Sequence, residues 1–324
     1  MRSVQVYREL FSSHLSNLTI KKEPNGLYDP ISYILQLGGK RMRPVLVLMG
    51  CEAAGKEPFS ALDAATAIEF FHNFTLLHDD IMDHAVLRRG KKTVHEKWDV
   101  NTGILSGDAL LVKAYQQLNS YEHALFSKLT KVLSETAQLV CEGQQHDIDF
   151  EARNNVGMDE YINMIRLKTA VLLGGALRMG TLVGNASENI GDCLYDFGVN
   201  LGIAFQLQDD LLDAFGDPAN FGKKVGGDII ENKKTILYHL TRTYATKNDL
   251  SNFEQLMSST PQDEDQKIKD ITAIYESTDV RRRTTELAMK YTKNAMDALT
   301  RSSLNNNTIN YFTVFVEELM MRTK

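Results

Sequence analysis

Residues 69–83 read EFFHNFTLLHDDIMD, and this stretch decides how the rest of the chain is interpreted. From Ala61 to Asp83 apolar residues occur on every side of a helical projection, which predicts a helix that is buried all round. The helix nevertheless ends in an acidic cluster. Asp79 and Asp83 lie four residues apart, so their carboxylates share one helix face at about 6 Å. Carboxylate oxygens at that separation are typical ligands of hard divalent cations.

A second copy of the pattern stands at residues 209–213, which read DDLLD at the end of another apolar run. One such pattern is weak, because an exposed helix face can produce it by chance. Two copies, each followed by a basic loop, favour metal binding, since a buried acidic face without counter-ions is strongly unfavourable. We expect the two clusters to face each other and to hold several cations, to which a strongly anionic ligand such as a diphosphate binds.

Composition excludes several classes of function. The chain has 324 residues, a net charge of −6 and 43% apolar residues, so we expect a large core and no nucleic-acid partner. No apolar run reaches the roughly 18 residues of a membrane span, and residues 1–5 do not start a signal peptide. The three cysteines, Cys51, Cys141 and Cys193, are widely spaced, which predicts buried, reduced thiols in a cytoplasmic protein.

The chain is predicted to be all-α and to form a single domain over residues 1–324. It has only six prolines and many good helix formers. Asp29 and Pro30 are interpreted as the cap and first residue of one helix, and Pro44 as the start of the next. Residues 84–101 and 217–234 are predicted to be loops, and no alternating pattern indicates a strand.

Basic residues that accompany the acidic clusters form three groups: Lys40 with Arg43, Arg88 with Arg89, and Lys223 with Lys233. Arginine suits forked contacts with phosphate oxygens, and lysine acts as a mobile point charge. His72 precedes Asp79 by two helical turns and could equally be a buried core histidine. Other lysines are interpreted as solubilising: Lys91, Lys92 and Lys234. Residues 222–227 lack the spacing of a nucleotide P-loop.

Taken together in chain order, these motifs resemble those of the trans-isoprenyl diphosphate synthase family, which makes farnesyl, geranylgeranyl and longer polyprenyl diphosphates. The resemblance covers nearly the whole sequence. It rests on GGKRMRP at 38–44, EFFH at 69–72, LLHDDIMD at 76–83, RRG at 88–90, LSGDAL at 105–110, GQ at 143–144, KT at 168–169, FQLQDDLLD at 205–213, and GKKVGGD at 222–228 with Lys233. The departures are mild: Lys224 and Tyr238 stand where many members have proline.

This resemblance implies an isoprenoid synthase fold, an antiparallel helical bundle around a deep central cavity, and a homodimer. It implies up to three Mg²⁺ ions, two held by Asp79 and Asp83 and a third by Asp209, with Asp210 and Asp213 in support. The implied ligands of the allylic diphosphate are Arg88, Lys168, Lys223 and Lys233. Thr169 and Gln206 would lie beside the carbon that becomes cationic. The implied ligands of isopentenyl diphosphate are Lys40, Arg43, His72 and Arg89.

The implied reaction is a condensation of isopentenyl diphosphate with allylic diphosphates of C5 to C15. Bulky residues just before the first acidic cluster form the floor of the product tunnel in the family, which makes Phe71, Phe74 and Thr75 the candidate chain-length residues. Helical periodicity alone places Thr75, not Phe74, on the row of Asp79. The pattern favours geranylgeranyl diphosphate, with farnesyl or a longer polyprenyl diphosphate as alternatives.

Two other functions share parts of this pattern. A terpene cyclase has the same fold and first motif, but cyclases normally carry an Asn/Ser/Glu metal motif at the second site. A non-catalytic partner subunit tends to lose site aspartates or lysines, and none is missing here.

Overall fold

The computed structural model describes residues 1–18, 20, 22–153, 155–216, 225–259 and 263–321. Within these residues the regular secondary structure is helical apart from one short hairpin, which confirms the all-α prediction. The helices are α1 (Val4–Asn17), α2 (Asn25–Gln36), α3 (Met42–Ala53), α4 (Leu62–Met82), α5 (Val94–Lys97), α6 (Val100–Gln117), α7 (His123–Ala152), α8 (Met158–Ile165), α9 (Val171–Val183), α10 (Glu188–Phe215), α11 (Gly227–Ile230), α12 (Ile236–Tyr244), α13 (Lys247–Ser258), α14 (Glu264–Ser277), α15 (Val280–Arg301) and α16 (Asn306–Met321).

The remaining elements are short turns and one hairpin. Two 3₁₀ turns cover Pro58–Ala61 and Leu118–Ser120, and a π-helical turn, Arg166–Ala170, joins α8 to α9. Strands β1 (Leu87–Arg88) and β2 (Lys91–Lys92) pair antiparallel. They lie in a stretch predicted to be a loop, because two residues are too few to show an alternating pattern.

Contacts divide the chain into two compact units. Unit 1 comprises Met1–Ala137 with Gly175–Tyr195, and unit 2 comprises Gln138–Gly174 with Asp196–Lys324. The boundaries fall within α7, α9 and α10. The expectation of one domain over residues 1–324 stays a prediction.

In unit 1 the core is built around α3 and α4. Residues 44–51 of α3 and residues 64–71 of α4 are buried without interruption, which confirms the prediction of a helix buried all round. Glycines allow α3 and the end of α9 to touch: a Cβ at Gly50 would lie 2.6 Å from the Leu177 carbonyl oxygen, and one at Gly180 would lie 2.1 Å from the Val47 carbonyl oxygen.

Unit 2 has its own core, formed by apolar residues of α7, α8, α10 and the helices that follow. Among its largest fully buried side chains are Phe197, Phe253, Tyr275 and Phe312. The aromatic rings of Phe253 and Tyr275 lie 5.9 Å apart, and those of Phe197 and Phe312 lie 5.2 Å apart. Aromatic pairs of this kind stabilise the core beyond the effect of the apolar area that they bury.

Two local predictions were wrong. Helix α2 begins at Asn25, and Pro30 lies inside it instead of at its first position, because the first turn already closes when Leu27 N and Tyr28 N donate to the Pro24 carbonyl. Cys141 is exposed, whereas Cys51 and Cys193 are buried, and all three are free thiols.

A membrane-crossing helix was not expected, and the described part of the chain contains none of sufficient length and apolarity.

Candidate active site

The first acidic motif closes α4, and its three aspartates differ in environment. Asp79 is partly buried and Asp83, the C-cap of α4, is exposed. Asp80 is only 1% exposed, and its carboxylate accepts hydrogen bonds from the guanidinium of Arg88. Arg88 Nε lies 2.8 and 2.9 Å from the two carboxylate oxygens, and Arg88 Nη2 lies 2.7 Å from Asp80 Oδ1. Arg88, predicted to bind an allylic diphosphate, is thus bound to the motif itself. The more accessible carboxylates are those of Asp79 and Asp83.

Three of the residues predicted to bind isopentenyl diphosphate can be placed in a basic cluster at the start of α3. Arg43 Nη1 lies 3.1 Å from His72 Nε2. Arg89, from the loop after α4, donates from Nη1 to the Gly38 carbonyl oxygen. A Cβ at Gly39 would lie 2.7 Å from the Arg89 guanidinium, so glycine at this position allows the approach. Lys40 is exposed beside them.

Electrostatics keep this cluster cationic around a neutral imidazole. Burial, followed by the charges of Arg43 and Arg89, lowers the pKa of His72 well below its usual value. Burial also lowers the pKa of Arg43 to about 10 and lowers that of Arg89. Both guanidiniums remain charged at neutral pH. His72 is therefore a neutral partner that orients Arg43, and the arrangement suits an anion with several oxygens.

A buried ion pair lies behind this cluster, and the sequence alone did not assign it. Arg41 donates to Glu69 Oε1 and to the Leu35 carbonyl oxygen. Glu69 is 3% exposed, and its Oε1 also accepts from Asn73 Nδ2 at 3.1 Å. The available signal was an acidic residue at position 69 between two apolar neighbours, Ile68 and Phe70.

The candidate chain-length residues lie on α4, two to three turns before its end. Phe71 is fully buried, and Phe74 is partly buried with its ring 5.7 Å from Phe71 and 4.7 Å from His78. Thr75 Oγ1 donates to the His72 carbonyl oxygen at 2.8 Å. His78 in turn contacts α6, where its Nε2 lies 3.2 Å from the Ile104 carbonyl oxygen. Phe74 is thus held on both sides by aromatic rings of its own helix.

In unit 2 the second acidic motif lies near the end of α10, and its middle aspartate is again buried. Asp210 is 3% exposed and accepts from the Tyr161 hydroxyl, from Gln206 Nε2 at 3.1 Å and from Ile236 N at 3.4 Å. Burial, followed by the charge of Asp228, raises the pKa of Asp210 to about 7. Tyr161 is a residue that sequence reasoning missed, because a tyrosine in an amphipathic helix gives no distinct signal.

The outer aspartates of this motif are more accessible. Asp209 and Asp213 are partly buried. Asp213 accepts from Asp228 N at 2.9 Å through Oδ2, and its backbone carbonyl accepts from Gly226 N at 2.6 Å. One of the Asp213 carboxylate oxygens therefore already holds the first turn of α11.

The π-helical turn presents the predicted residues Lys168 and Thr169. Thr169 Oγ1 donates to Gln206 Oε1 at 3.3 Å, so the two residues predicted to flank the cationic carbon are in contact. Lys168 Nζ lies 2.5 Å from Asp147 Oδ2. A Cβ at Gly143 would lie 2.2 Å from Lys168 N, so the wide turn rests directly on the α7 backbone. Asp147 was not assigned from sequence, although it lies one turn after Gly143.

The lysines of the second basic group have different surroundings. Lys233 is half-exposed and lies 2.7 Å from Glu231 and 3.6 Å from Asp228. Lys223 and Lys224 lie outside the described residues. Lys234, interpreted as solubilising, instead donates to the carbonyl oxygens of Phe150, Glu151 and Arg153, the first two at 2.7 and 3.3 Å. That prediction was wrong: the Lys234 ammonium caps the end of α7, where unpaired carbonyls favour a cation.

Comparisons with known proteins agree with this helical framework. The profile of the polyprenyl synthetase family matches residues 24–275. A geranylgeranyl pyrophosphate synthase of Geoglobus acetivorans is 41% identical over 232 residues, which make up 71% of this chain and 72% of that protein. A crystal structure of a geranylgeranyl pyrophosphate synthase has a TM-score of 0.96 and 46% identity, covering 100% of both chains.

A third similar protein was solved with ligands. The geranylgeranyl pyrophosphate synthase of Corynebacterium glutamicum, in complex with isoprenyl diphosphate and magnesium, has a TM-score of 0.84 and 27% identity, covering 98% of both chains.

The all-α fold and the acidic motifs on α4 and α10 therefore define an isoprenoid synthase. More specifically, the chain belongs to the polyprenyl synthetase family, and it is an enzyme of the prenyltransferase class. The resemblance found in the sequence is confirmed.

Proposed function

We propose that this enzyme condenses isopentenyl diphosphate with allylic diphosphates of C5 to C15 and releases all-trans geranylgeranyl diphosphate. The observation that carries the product length is Phe74, a bulky ring five residues before Asp79 and held between Phe71 and His78. The similarity to proteins named geranylgeranyl pyrophosphate synthases supports the same product.

A divalent metal is part of this proposal, with Mg²⁺ as the ion and up to three ions for each active site. The proposed ligands are Asp79, Asp83 and Asp209, with Asp213 in support. Their donors are carboxylate oxygens, which suit Mg²⁺. The described residues contain no group of three or more His, Cys, Asp or Glu side chains that would form a complete site. This fits a metal that keeps several waters and shares substrate phosphate oxygens. When bound, Mg²⁺ would stabilise negative charge on the leaving diphosphate.

The cationic side chains of the site bind and orient the two diphosphates. We assign the allylic diphosphate to Lys168 and Lys233, together with Arg88 and Lys223. In the structure Lys168 and Lys233 contact carboxylates. A diphosphate would compete with those carboxylates, since it offers more oxygens and a higher charge. Arg43, His72, Arg89 and Lys40 are assigned to isopentenyl diphosphate.

The reaction follows from this charge placement. Breakage of the allylic carbon–oxygen bond leaves an electron pair on the diphosphate, which the cationic side chains stabilise as it forms. The double bond of isopentenyl diphosphate then attacks the allylic cation. The hydroxyl of Thr169 and the amide oxygen of Gln206 are polar groups suited to stabilise that cation. A proton is lost afterwards, and the released diphosphate is its proposed acceptor. Apolar surroundings exclude the water that would convert the cation to an alcohol.

A product assay tests the proposal. Purified enzyme with Mg²⁺ and labelled isopentenyl diphosphate is given each allylic starter in turn, and the product alcohols are sized. We expect C20 to dominate. A dominant C15 product would contradict the assigned length, and no product from any starter would contradict the reaction.

Replacing the proposed floor of the tunnel gives a second test. Phe74→Ala removes the ring between Phe71 and His78, so we expect products longer than C20, because the proposed floor of the tunnel is lost. Phe59→Ala is the matched control, since Phe59 is 58% exposed. An unchanged product profile in the Phe74 variant would show that another residue sets the length.

The state of assembly and the location are also proposals. We propose a homodimer that works in the cytoplasm. Helix α6 carries several exposed apolar residues, Ile104, Leu105 and Val112, which suit contact with a second copy. Free cysteines are expected in a reducing compartment. The mass in solution, measured by light scattering, tests the dimer.

A further inference from the structure

Arg41 has an unusual backbone conformation at the start of α3. Its φ is +48°, in the left-handed region that residues other than glycine rarely adopt, and it is the N-cap of the helix. A residue is held in this region only where its surroundings determine its position strongly. The side chain of Arg41 supplies that determination, because it is almost fully buried.

Two contacts fix Arg41. Its Nη2 donates to the carbonyl oxygen of Leu35 in the last turn of α2, and its Nη1 donates to Glu69 in the middle of α4. Glu69 is held in turn by Asn73, whose Nδ2 lies 3.1 Å from Glu69 Oε1 and 2.8 Å from the Glu69 carbonyl oxygen. The guanidinium of Arg41 therefore connects the end of α2 and the start of α3 to the middle of α4.

The neighbouring pair, Arg43 with His72, differs from the pair of Arg41 with Glu69 in its net charge. Arg43 lies two residues after Arg41, and its partner His72 lies three residues after Glu69, so the two pairs lie side by side along α3 and α4. The inner pair, Arg41 with Glu69, is neutral overall. The outer pair keeps the charge of Arg43, because His72 is uncharged. Arg89 also donates to a neutral acceptor, the carbonyl oxygen of Gly38, three residues before Arg41. This contact leaves the charge of Arg89 in place.

We propose that Glu69 is a positioning residue for isopentenyl diphosphate. Through Arg41 it holds residues 38–43 in place and cancels the innermost positive charge, so that Arg43 and Arg89 bind the diphosphate from fixed positions. This inference rests on the proposed function of the site. It concerns one substrate only, since the allylic diphosphate is assigned to Arg88, Lys168, Lys223 and Lys233, and not to Arg43 or Arg89.

The first experiment compares the two substrates in Glu69→Gln, which keeps the shape of the side chain and removes its charge. Each substrate is varied while the other is saturating. We expect the KM of isopentenyl diphosphate to rise about tenfold, kcat to stay within about threefold, and the KM of the allylic substrate to change less than about twofold. Glu188→Gln is the control, because it also removes a carboxylate from an arginine pair in unit 1 but lies on the exposed start of α10.

A second variant separates positioning from stability. Arg41→Met and Glu69→Met each leave one buried charge without its partner, whereas the double variant removes both charges and recovers much of the lost thermal stability. If Glu69 positions the site, the double variant regains its Tm but keeps the raised KM for isopentenyl diphosphate, since residues 38–43 are no longer tied to α4. The double variant also decides the question if Glu69→Gln fails to fold.

Three results would overturn the inference: an unchanged KM in the folded variants, an equal rise in the KM of both substrates, or recovery of the wild-type KM together with Tm in the double variant. Failure of the proposed function is a separate result, because the wild-type enzyme would then not use isopentenyl diphosphate at all.

Discussion

The two acidic motifs have the same pattern of aspartates and bury the middle one to the same extent, yet they stabilise it in different ways. In unit 1, Asp80 accepts a fork from the charged Arg88. In unit 2, Asp210 accepts only from neutral groups that the structure identifies: the Tyr161 hydroxyl, the Gln206 amide and the Ile236 N–H. The same sequence pattern thus produces an ion pair in one unit and a carboxyl group held by neutral donors, among the described residues, in the other.

In both motifs the middle aspartate makes the buried contacts, while the outer aspartates are the more accessible carboxylates. A buried carboxylate with a cation is costly to alter, because loss of either partner leaves a buried charge. A buried carboxylate with neutral donors tolerates loss of its charge, and its raised pKa reflects this.

The largest expected effect concerns what the two motifs share. Asp79→Ala and Asp209→Ala should each lower kcat by about 10³-fold or more, because each removes a proposed metal ligand that stabilises the leaving diphosphate. Turnover at saturating Mg²⁺ and far-UV circular dichroism measure activity and fold. Asp297→Ala, at an exposed aspartate of α15, serves as the control. Near-normal turnover in either site variant would refute the equivalence of the two outer aspartates.

A smaller effect is expected for His239, a buried histidine of unit 2. Burial lowers the pKa of His239 from 6.5 to about 4, so this group stabilises the fold above pH 6.5 and loses that contribution as the pH falls to 4. We expect a loss of about 3 kcal/mol at pH 4, which His239→Asn abolishes. The difference in unfolding free energy between wild type and variant, measured in urea at pH 7 and pH 4, isolates His239 from Asp210, whose pKa is shifted in the opposite direction. A constant difference across pH would contradict the assigned pKa.

The smallest effect separates the two middle aspartates directly. Asp80→Asn leaves Arg88 without its charged partner and should lower the free energy of unfolding by about 2 kcal/mol at pH 7. Asp210→Asn keeps hydrogen-bonding groups among neutral donors and should change it by less than about 0.5 kcal/mol. Both are measured by urea unfolding without Mg²⁺. Equal losses would show that the partner of the middle aspartate does not matter.

Sequence reasoning placed the helices of the site well where the pattern was local. The continuous apolar surface of residues 61–83 predicted a buried helix, and residues 62–82 form a helix that is buried without interruption over residues 64–71. Thr169 contacts Gln206, and Arg43 contacts His72; the roles that the family resemblance implies for these pairs stay predictions.

The sequence analysis missed contacts that depend on the tertiary fold. Lys234 stands in a basic run and looks solubilising, but its carbonyl partners lie 81–84 residues before it. The ion pair of Arg88 with Asp80 was also not expected, because it depends on the turn that brings β1 back to the end of α4. Tyr161 gives no signal until Asp210 is known to be buried beside it. These contacts depend on tertiary structure, which periodicity does not encode.

Gly143 shows how strictly such contacts can constrain a position. The backbone of Lys168 lies where a methyl group on residue 143 would have to be. Any other amino acid at position 143 would push the π-helical turn away from α7 and would carry the ammonium of Lys168 and the hydroxyl of Thr169 with it. The placement of two side chains that we assign to the active site therefore depends on the absence of a Cβ atom at position 143.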